Sequence, residues 1–349
     1  MAANSKDIYS SFYPFYRFLR CFGLLPFTFD PTKRVFVEQT RHKIISFILL
    51  SVVICAQSVM VFHCQVSHNS ASSIQLLLNI DSSIVFAIQL IYFNQRMYRI
   101  INLLRKFADL DRDINFRYLP DRELALYCFL NVTLLVTYIT VDVVILIQTT
   151  YPTSILCMFS QYNSSLSFLI LRVTFAFCIN EVRLRFKFFQ AHTNQSKDAV
   201  ALRHLVELRE ICKIVTSLYN FPLARNLGKV FLYLTINLVL LLLVPEFTGE
   251  NALNIFVLLV WWFLTFAEMI LVIYPVENLC TEISTTNEEL EQIEDCFKQN
   301  ELFNLHLYLN NIKFVICGAL PLNYTLVFTI TAGSVTYLIY LIQFKAMEQ

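Results

Sequence analysis

Glycine and charged residues are both scarce in this chain. Its 349 residues include only five glycines, and the sequence contains neither a GxGxxG fingerprint nor a GxxxxGK[ST] loop. Both motifs need glycine so that backbone N–H groups can approach a phosphate, and their absence argues against a nucleotide-binding enzyme. Charged residues make up 15% of the chain and leave a net charge of +1, which gives no reason to expect nucleic-acid binding.

Clusters of catalytic or metal-binding side chains are missing as well. The ten cysteines are scattered without a CxxC pair, and the six histidines are dispersed. Neither a hydrolytic triad nor a pair of carboxylates at a working distance stands out. We therefore predict a protein that is not an enzyme and that uses no metal and no cofactor.

Hydrophobic residues are what the chain has in excess. They form 56% of the sequence, with 32 phenylalanines, a composition typical of membrane proteins. Long apolar segments of the length needed to cross about 30 Å of hydrocarbon recur along the chain. They cover residues 44–65, 74–94, 124–148, 155–179, 228–246, 253–275 and 322–344. The predicted fold is all-α, with seven transmembrane helices.

The distribution of lysine and arginine predicts the orientation. Seven lie in residues 1–43, seven in 95–123 and nine in 181–229, whereas the connections 66–73, 149–154 and 247–252 contain none. Because basic residues stay on the cytosolic side, the N-terminus is predicted to be cytosolic and the C-terminus extracellular. Cys64 and Cys157 would then face the oxidising exterior, as two free thiols or as a disulfide.

This orientation separates two classes of seven-span protein. A G-protein-coupled receptor has the opposite topology, and its usual acidic-Arg-aromatic triplet and Asn-Pro-x-x-Tyr motif are not at the expected positions. A small-solute transporter remains a further alternative, although we see no internal repeat of the kind that such proteins carry.

The chain is predicted to have three parts. Residues 1–43 form a cytosolic segment with an amphipathic helix, which lies either along the membrane surface or beneath the bundle. Residues 44–299 carry the first six spans with helical extensions into the cytosol. Residues 300–349 form a cytosolic half-helix, Asn300 to Cys317, and the seventh span, separated by a break near Gly318 and Pro321.

The seventh span carries a stripe of polar or small residues on one face. Their spacings of 4, 4, 3, 4 and 3 residues follow the α-helical repeat. A polar stripe avoids lipid, so it faces either neighbouring helices or water. The stripe comprises Thr325, Thr329, Gly333, Thr336, Tyr340 and Gln343.

Four ionisable residues fall inside predicted spans, where a charge needs a partner or water. Arg172 and Glu268 lie near mid-span and are predicted to form a structural ion pair. Asp81 and Asp142 lie in the outer halves of their spans. With nearby aromatic and amide side chains they are candidates for an outward-opening ligand pocket. The other candidates are Tyr138, Gln161, Tyr162, Trp261 and Trp262, although tryptophans at this depth are also ordinary membrane anchors.

The two ends of the chain resemble one family. Thr336-Tyr337, five hydrophobic residues and Gln343-Phe344 are similar to the motif that ends the last helix of insect gustatory receptors. The segment from Phe18 to Phe27, FLRCFGLLPF, resembles the N-terminal Gly-Leu-x-Pro-Phe element of that family. Gly318, Asn323 and Gly333 also occupy positions that are common in its final segment.

The resemblance implies a ligand-gated cation channel of four subunits, homomeric or heteromeric, in the plasma membrane of sensory-neuron dendrites. The ligand would be a small-molecule tastant bound in the outer pocket. Gln343, Phe344 and Tyr340 match the narrow part of the pore, whereas Thr336 and Tyr337 match positions that pack the last helix against its neighbours. Leu338 stands where the sugar-sensing branch often has glutamate, which makes a typical sugar receptor a poorer match.

Overall fold

The computed structural model describes most of the chain. The described residues are 8–21, 27–30, 35–38, 44–45, 47–48, 51–52, 55, 58, 72–116, 122–148, 153–193, 199–243, 252–292 and 314–347. The chain divides into two compact units, Met1–Thr174 and Phe175–Gln349, and each is described by itself.

Long helices dominate the described residues. The helices are α1 (Ile8–Cys21), α2 (Ser72–Asp113), α3 (Arg122–Gln148), α4 (Thr153–Thr193), α5 (Ala199–Leu243), α6 (Ala252–Gln292) and α7 (Tyr324–Met347). Two short antiparallel hairpins accompany them, β1 (Phe27–Asp30) with β2 (Val35–Glu38) and β3 (Val315–Ile316) with β4 (Leu320–Pro321).

The helices agree with the predicted spans. Four predicted spans lie wholly within helices α2, α3, α4 and α6, namely 74–94, 124–148, 155–179 and 253–275. Helix α5 contains most of the predicted span 228–246, and α7 contains most of 322–344. For the segment 44–65 the structure describes only scattered residues up to Ser58, all of them helical. By length and composition alone, Arg122–Val141, Ile255–Thr286 and Tyr324–Phe344 qualify as membrane spans among the described residues.

Several helices are much longer than a bilayer requires. Helices α2, α4, α5 and α6 contain 42, 41, 45 and 41 residues. At 1.5 Å per residue each is about 60 Å long, roughly twice the hydrocarbon thickness. These helices therefore continue beyond any membrane-spanning portion.

In the first unit, the apolar face of α1 is covered by protein. Phe12 and Tyr16 are buried and contact Phe36 of β2, with ring centroids 5.7 and 5.2 Å away. The Tyr16 hydroxyl accepts the backbone N–H of Phe29 at 3.3 Å, which ties the hairpin to the helix. Helix α1 also contacts α2. Of the two interpretations of this amphipathic helix, the structure favours packing against the chain over exposure of its apolar face to lipid.

In the second unit, α5 is the central element. It contacts α6, α7 and β3, and α6 also contacts α7. Its buried residues recur at helical spacing, with Leu208, Cys212, Val215 and Leu218 all inaccessible to solvent. The last helix is therefore held by two neighbours along one side.

The predicted break before the last helix is present, but its form differs from the expectation. Val315–Ile316 is a strand and residues 317–319 form a turn, so the C-terminal end of the predicted half-helix Asn300 to Cys317 is not helical. Residues 300–313 of that half-helix lie outside the described part. Cys317 and Gly318 have φ angles of 52° and 70°, and two successive left-handed residues turn the chain back too sharply for a helix to continue.

Candidate functional site

Helix α7 presents three different faces. The face against the rest of the second unit contains Leu326, Val327 and Ser334, which are buried. The Thr235 hydroxyl of α5 lies 3.3 Å from the Ser334 hydroxyl, within hydrogen-bonding distance. A second face is apolar but exposed, and its members are Phe328, Val335, Ile339 and Ile342.

The third face is the polar stripe predicted from the sequence. Its members Thr325, Thr329, Thr336, Tyr340 and Gln343 are exposed in this chain. Gly333 is half-buried, and a Cβ placed there would lie 3.5 Å from a ring carbon of Phe231. Within the part of the chain that the structure describes, packing therefore accounts for Gly333 alone, and the remainder of the stripe is exposed.

The threonines of this stripe satisfy their own hydroxyl protons. Thr329 donates to the backbone oxygen of Thr325 at 3.0 Å, and Thr336 donates to that of Ala332 at 2.8 Å. Such bonds to the preceding turn leave the hydroxyl oxygen available as an acceptor without leaving a proton unpaired. The face is thus moderately polar and compatible with water.

The motif residues at the end of α7 are also exposed. Tyr337, Tyr340 and Phe344 have 51%, 57% and 61% of their surface accessible. The predicted packing role of Thr336 and Tyr337 has no counterpart within the described chain, because both side chains are exposed. That role would need a second copy and stays a prediction, as does the gating role of Gln343, Phe344 and Tyr340.

The start of α7 is held by three polar side chains. The Tyr324 N–H donates to Oε1 of Glu277 on α6 at 2.8 Å, and the Cys317 N–H donates to Oδ1 of Asn220 on α5 at 2.6 Å. Asn323 caps the helix from within, since its Oδ1 accepts the Leu326 N–H at 3.3 Å. The sequence pointed to Asn323 only through the resemblance. Glu277 and Asn220 were missed because a side chain that binds a distant backbone N–H leaves no pattern in the sequence.

Arg172 has one buried hydrogen-bond partner on α3. Its Nε donates to Oδ1 of Asn131 on α3 at 2.9 Å, and the Asn131 amide donates to the backbone oxygen of Tyr127 at 3.0 Å. Both Arg172 and Asn131 are buried. The predicted partner Glu268 is buried too, but it belongs to the other compact unit, so the ion pair stays a prediction.

The candidate ligand-pocket residues are divided between the two units. In the first unit Tyr138 is half-buried, whereas the side chains of Asp81, Asp142, Gln161 and Tyr162 lie outside the described part. In the second unit Trp261 and Trp262 are half-buried on α6. The pocket as a whole therefore remains a prediction.

Trp262 is the best-defined of these candidates. Its ring stacks on Phe266 with centroids 5.7 Å apart and an interplanar angle of 12°. Its indole Nε1 is buried and finds no hydrogen-bond acceptor among the residues that the structure describes. A buried indole N–H normally has a partner. A polar atom of a ligand could supply one.

The cysteines and other metal-binding side chains do not assemble into a site in the described part of the chain. It contains no group of three or more histidine, cysteine or acidic residues that could hold a metal ion. Burial raises the pKa of the Cys212 thiol well above its ordinary range, and the positive charge of Arg209 only partly opposes this. Cys212 is therefore an inert core residue. Cys64, and the side chain of Cys157, lie outside the described residues.

The comparisons with known proteins agree with this architecture. Residues 12–348 match the family described as 7tm chemosensory receptor. The fold is similar to the insect olfactory receptor OR5 from Machilis hrabei in complex with eugenol. In that comparison the TM-score is 0.63 at 14% identity over 96% of this chain and 98% of the other.

A second structure of the same receptor is also similar. It has a TM-score of 0.58 at 15% identity over 97% of this chain and 100% of the other. No curated protein matches the chain. Since the family match extends over nearly the whole sequence, this chain belongs to the 7tm chemosensory receptor family, and is a helical membrane receptor and not an enzyme.

Proposed function

We propose that the chain is a gustatory receptor subunit that forms a ligand-gated, non-selective cation channel with α7 lining the pore. The observation that carries this proposal is the outward-facing polar stripe of α7. A stripe exposed on a membrane helix must meet either water or another protein surface, because lipid offers no hydrogen-bond partners. Copies of α7 arranged around a shared aqueous path would provide both.

The gate would lie at the C-terminal end of α7. Phe344 and Tyr340 are large, exposed side chains one turn apart, and Gln343 lies between them in sequence. A ring of such aromatic groups closes a narrow pore by excluding water, and a small outward movement of the helix would readmit it. The spanning stretch of α7 contains no acidic residue, which favours weak discrimination among cations.

The assembly would be a homo- or hetero-tetramer with related subunits. The exposed apolar face of α7 supports this, because it lies beside the polar stripe and would pack against the next copy or lipid. The subunit would have its N-terminus in the cytosol, in the plasma membrane of sensory-neuron dendrites, as the lysine and arginine distribution and the family resemblance suggest.

The ligand would be a small tastant such as a bitter compound or a sugar, bound among the outer ends of the helices. The stacked ring and buried N–H of Trp262 favour a compact aromatic molecule with an oxygen acceptor. Eugenol, which the related olfactory receptor structure contains, has this chemistry and is a suitable first probe. Ligand binding would shift the channel toward opening only to the extent that the open state binds it more tightly.

Current recording from cells that express the chain alone tests the proposal. We expect a cation current, spontaneous or evoked by eugenol or by a panel of sugars and bitter compounds, that carries sodium and potassium with little preference. Antibody staining of terminal tags on intact cells should detect the C-terminal tag alone. Absence of current at normal surface abundance, both alone and with a related subunit co-expressed, or staining of the N-terminal tag alone, would refute the channel and favour a G-protein-coupled receptor.

A further inference from the structure

We propose that Glu277 is a positioning residue that holds the start of α7 against α6 in the closed channel and releases it on opening. This inference rests on the proposed channel function. It concerns the contact between the Glu277 carboxylate and the Tyr324 N–H, which are 2.8 Å apart.

The contact is favourable for electrostatic reasons. Tyr324 is the first residue of α7, and the first N–H groups of a helix have no acceptor within the helix. The N-terminus also carries the positive end of the helix dipole, which attracts a carboxylate. Glu277 therefore supplies both an acceptor and a complementary charge, and it does so from a different helix.

The helix does not need this contact in order to begin at Tyr324. Asn323 caps it locally, since both its side-chain and backbone oxygens accept the Leu326 N–H, at 3.3 and 3.0 Å. Helix α7 can thus leave Glu277 and remain a capped helix. What Glu277 adds is the position of α7 relative to α6.

A second contact marks where the movement would pivot. The turn between β3 and β4 is held by Asn220 of α5, which accepts the Cys317 N–H at 2.6 Å. Buried Ile316 and Leu322 flank this turn and fix the hairpin in the second unit. With the hairpin anchored at Asn220, breaking the contact at Glu277 would leave the start of α7 held by the apolar packing of Leu326 and Val327, which restrains a tilt of the helix less than a directional hydrogen bond does.

Single-channel recording of spontaneous openings tests the inference without a ligand. Glu277→Ala should raise the ratio of open to closed time by roughly tenfold, the effect expected from losing one charge-assisted hydrogen bond. Unitary conductance should not change, because the pore-lining face is intact. Glu277→Gln keeps an acceptor oxygen without the charge and should raise the ratio by less.

The backbone donor can be removed independently. Proline is well tolerated at the first position of a helix and has no N–H. Tyr324→Pro should therefore raise the ratio relative to Tyr324→Ala, which loses only the side chain. Combined with Glu277→Ala, the proline should cause no further rise.

Glu282→Gln is the matched control. Glu282 is also on α6 and also contacts another helix, because its carboxylate lies 3.1 Å from Nζ of Lys187 on α4. Among the described residues its carboxylate forms no hydrogen bond or ion pair with α7, so this variant should keep the ratio of the parent channel.

The outcomes separate this inference from the proposed function. If the parent channel conducts and Glu277→Ala has the same ratio of open to closed time or a lower one, the inference is wrong. The proposed channel function is not affected by that result. If Glu277→Ala reduces the number of channels at the surface but leaves the ratio of open to closed time of each channel unchanged, Glu277 has a purely structural role. That result also contradicts the inference. If Glu277→Ala does not reach the surface, the comparison of Tyr324→Pro with Tyr324→Ala decides. A parent chain that reaches the surface without current, both alone and with a related subunit co-expressed, overturns both proposals.

Discussion

Replacing Asn131 by leucine should destabilise the first unit through the loss of one contact to Arg172. The Asn131 carbonyl oxygen accepts the Arg172 Nε–H at 2.9 Å, and both side chains are buried. Leucine has a similar volume but no acceptor, so the guanidinium loses a partner in a place that water does not readily reach. A hydrogen bond to a charged group contributes about 1.5–3 kcal/mol, so we expect the free energy of unfolding to fall by about 2 kcal/mol.

The other hydrogen bond of Asn131 adds little to this figure. Its amide donates to the backbone oxygen of Tyr127, one helical turn away. That oxygen also accepts the ordinary helical N–H, so it retains a donor when the amide is lost. The expected loss is therefore dominated by the contact with Arg172.

Unfolding in mixed detergent micelles, followed by circular dichroism, measures the effect. A double-mutant cycle with Arg172→Met should give a coupling energy of about 1.5–2 kcal/mol, since each single change removes the same bond. Thr133→Val is the control on the same helix, because the Thr133 side chain is exposed and, among the described residues, donates only to the backbone oxygen of Phe129. A coupling energy within about 0.3 kcal/mol of zero would refute the assignment of Asn131 as a significant partner of Arg172.

Three further outcomes are expected. Gln343→Ala should alter the open probability or the conductance in current recordings. It should change the free energy of unfolding by less than about 0.5 kcal/mol, because the side chain is exposed. An unchanged current would contradict the pore role of Gln343. Gly333→Ala should stabilise the protein by about 0.5–1 kcal/mol in the same unfolding assay, because alanine favours a helix more than glycine does. The added Cβ would lie 3.5 Å from the Phe231 ring, an ordinary van der Waals contact. A loss of stability would show that this contact is tighter. Cys317 is exposed, whereas burial raises the pKa of Cys212 and keeps its thiol protonated. Maleimide at pH 8 should therefore modify Cys212 on the order of 100-fold more slowly than Cys317, which mass spectrometry of labelled peptides would measure. Equal rates would place Cys212 at a surface.

The parts of the fold that depend on local sequence were predictable. Runs of apolar residues gave the positions of the spans from 74–94 onward, because a helix in hydrocarbon needs a long uncharged segment. Gly318 and Pro321 marked the break before the last helix, since both residues interrupt helices. The polar stripe of α7 followed from the helical repeat alone, and its exposure agrees with a face that is not used for packing within the chain.

The conformation at the break was not predictable in the same way. Cys317 adopts a left-handed conformation next to Gly318, and nothing about a cysteine suggests this. The β1–β2 hairpin did leave a signal, because FTFD alternates with a period of two and VFVE is rich in β-branched and aromatic residues, with a Pro-containing connection between them. We instead predicted only an amphipathic helix within residues 1–43.

The polar contacts between helices were the least predictable feature. Depth in the membrane suggested Glu268 as a partner of Arg172, and that ion pair stays a prediction. Asn131 was overlooked because the search was for opposite charges, and an amide oxygen serves equally well as an acceptor. Glu277 binds a backbone group, and any residue at position 324 other than proline would supply that donor.

The internally bonded threonines have a consequence for how the protein is made. Thr329 and Thr336 on α7, like Thr133, Thr137 and Thr140 on α3, donate their hydroxyl protons to carbonyls of their own helix. During biosynthesis each segment must leave the translocon for lipid before its neighbours are in place, and an unpaired hydroxyl would oppose that step. Because these helices carry their hydrogen-bond partners with them, a segment that ends facing water can first partition into the bilayer on its own.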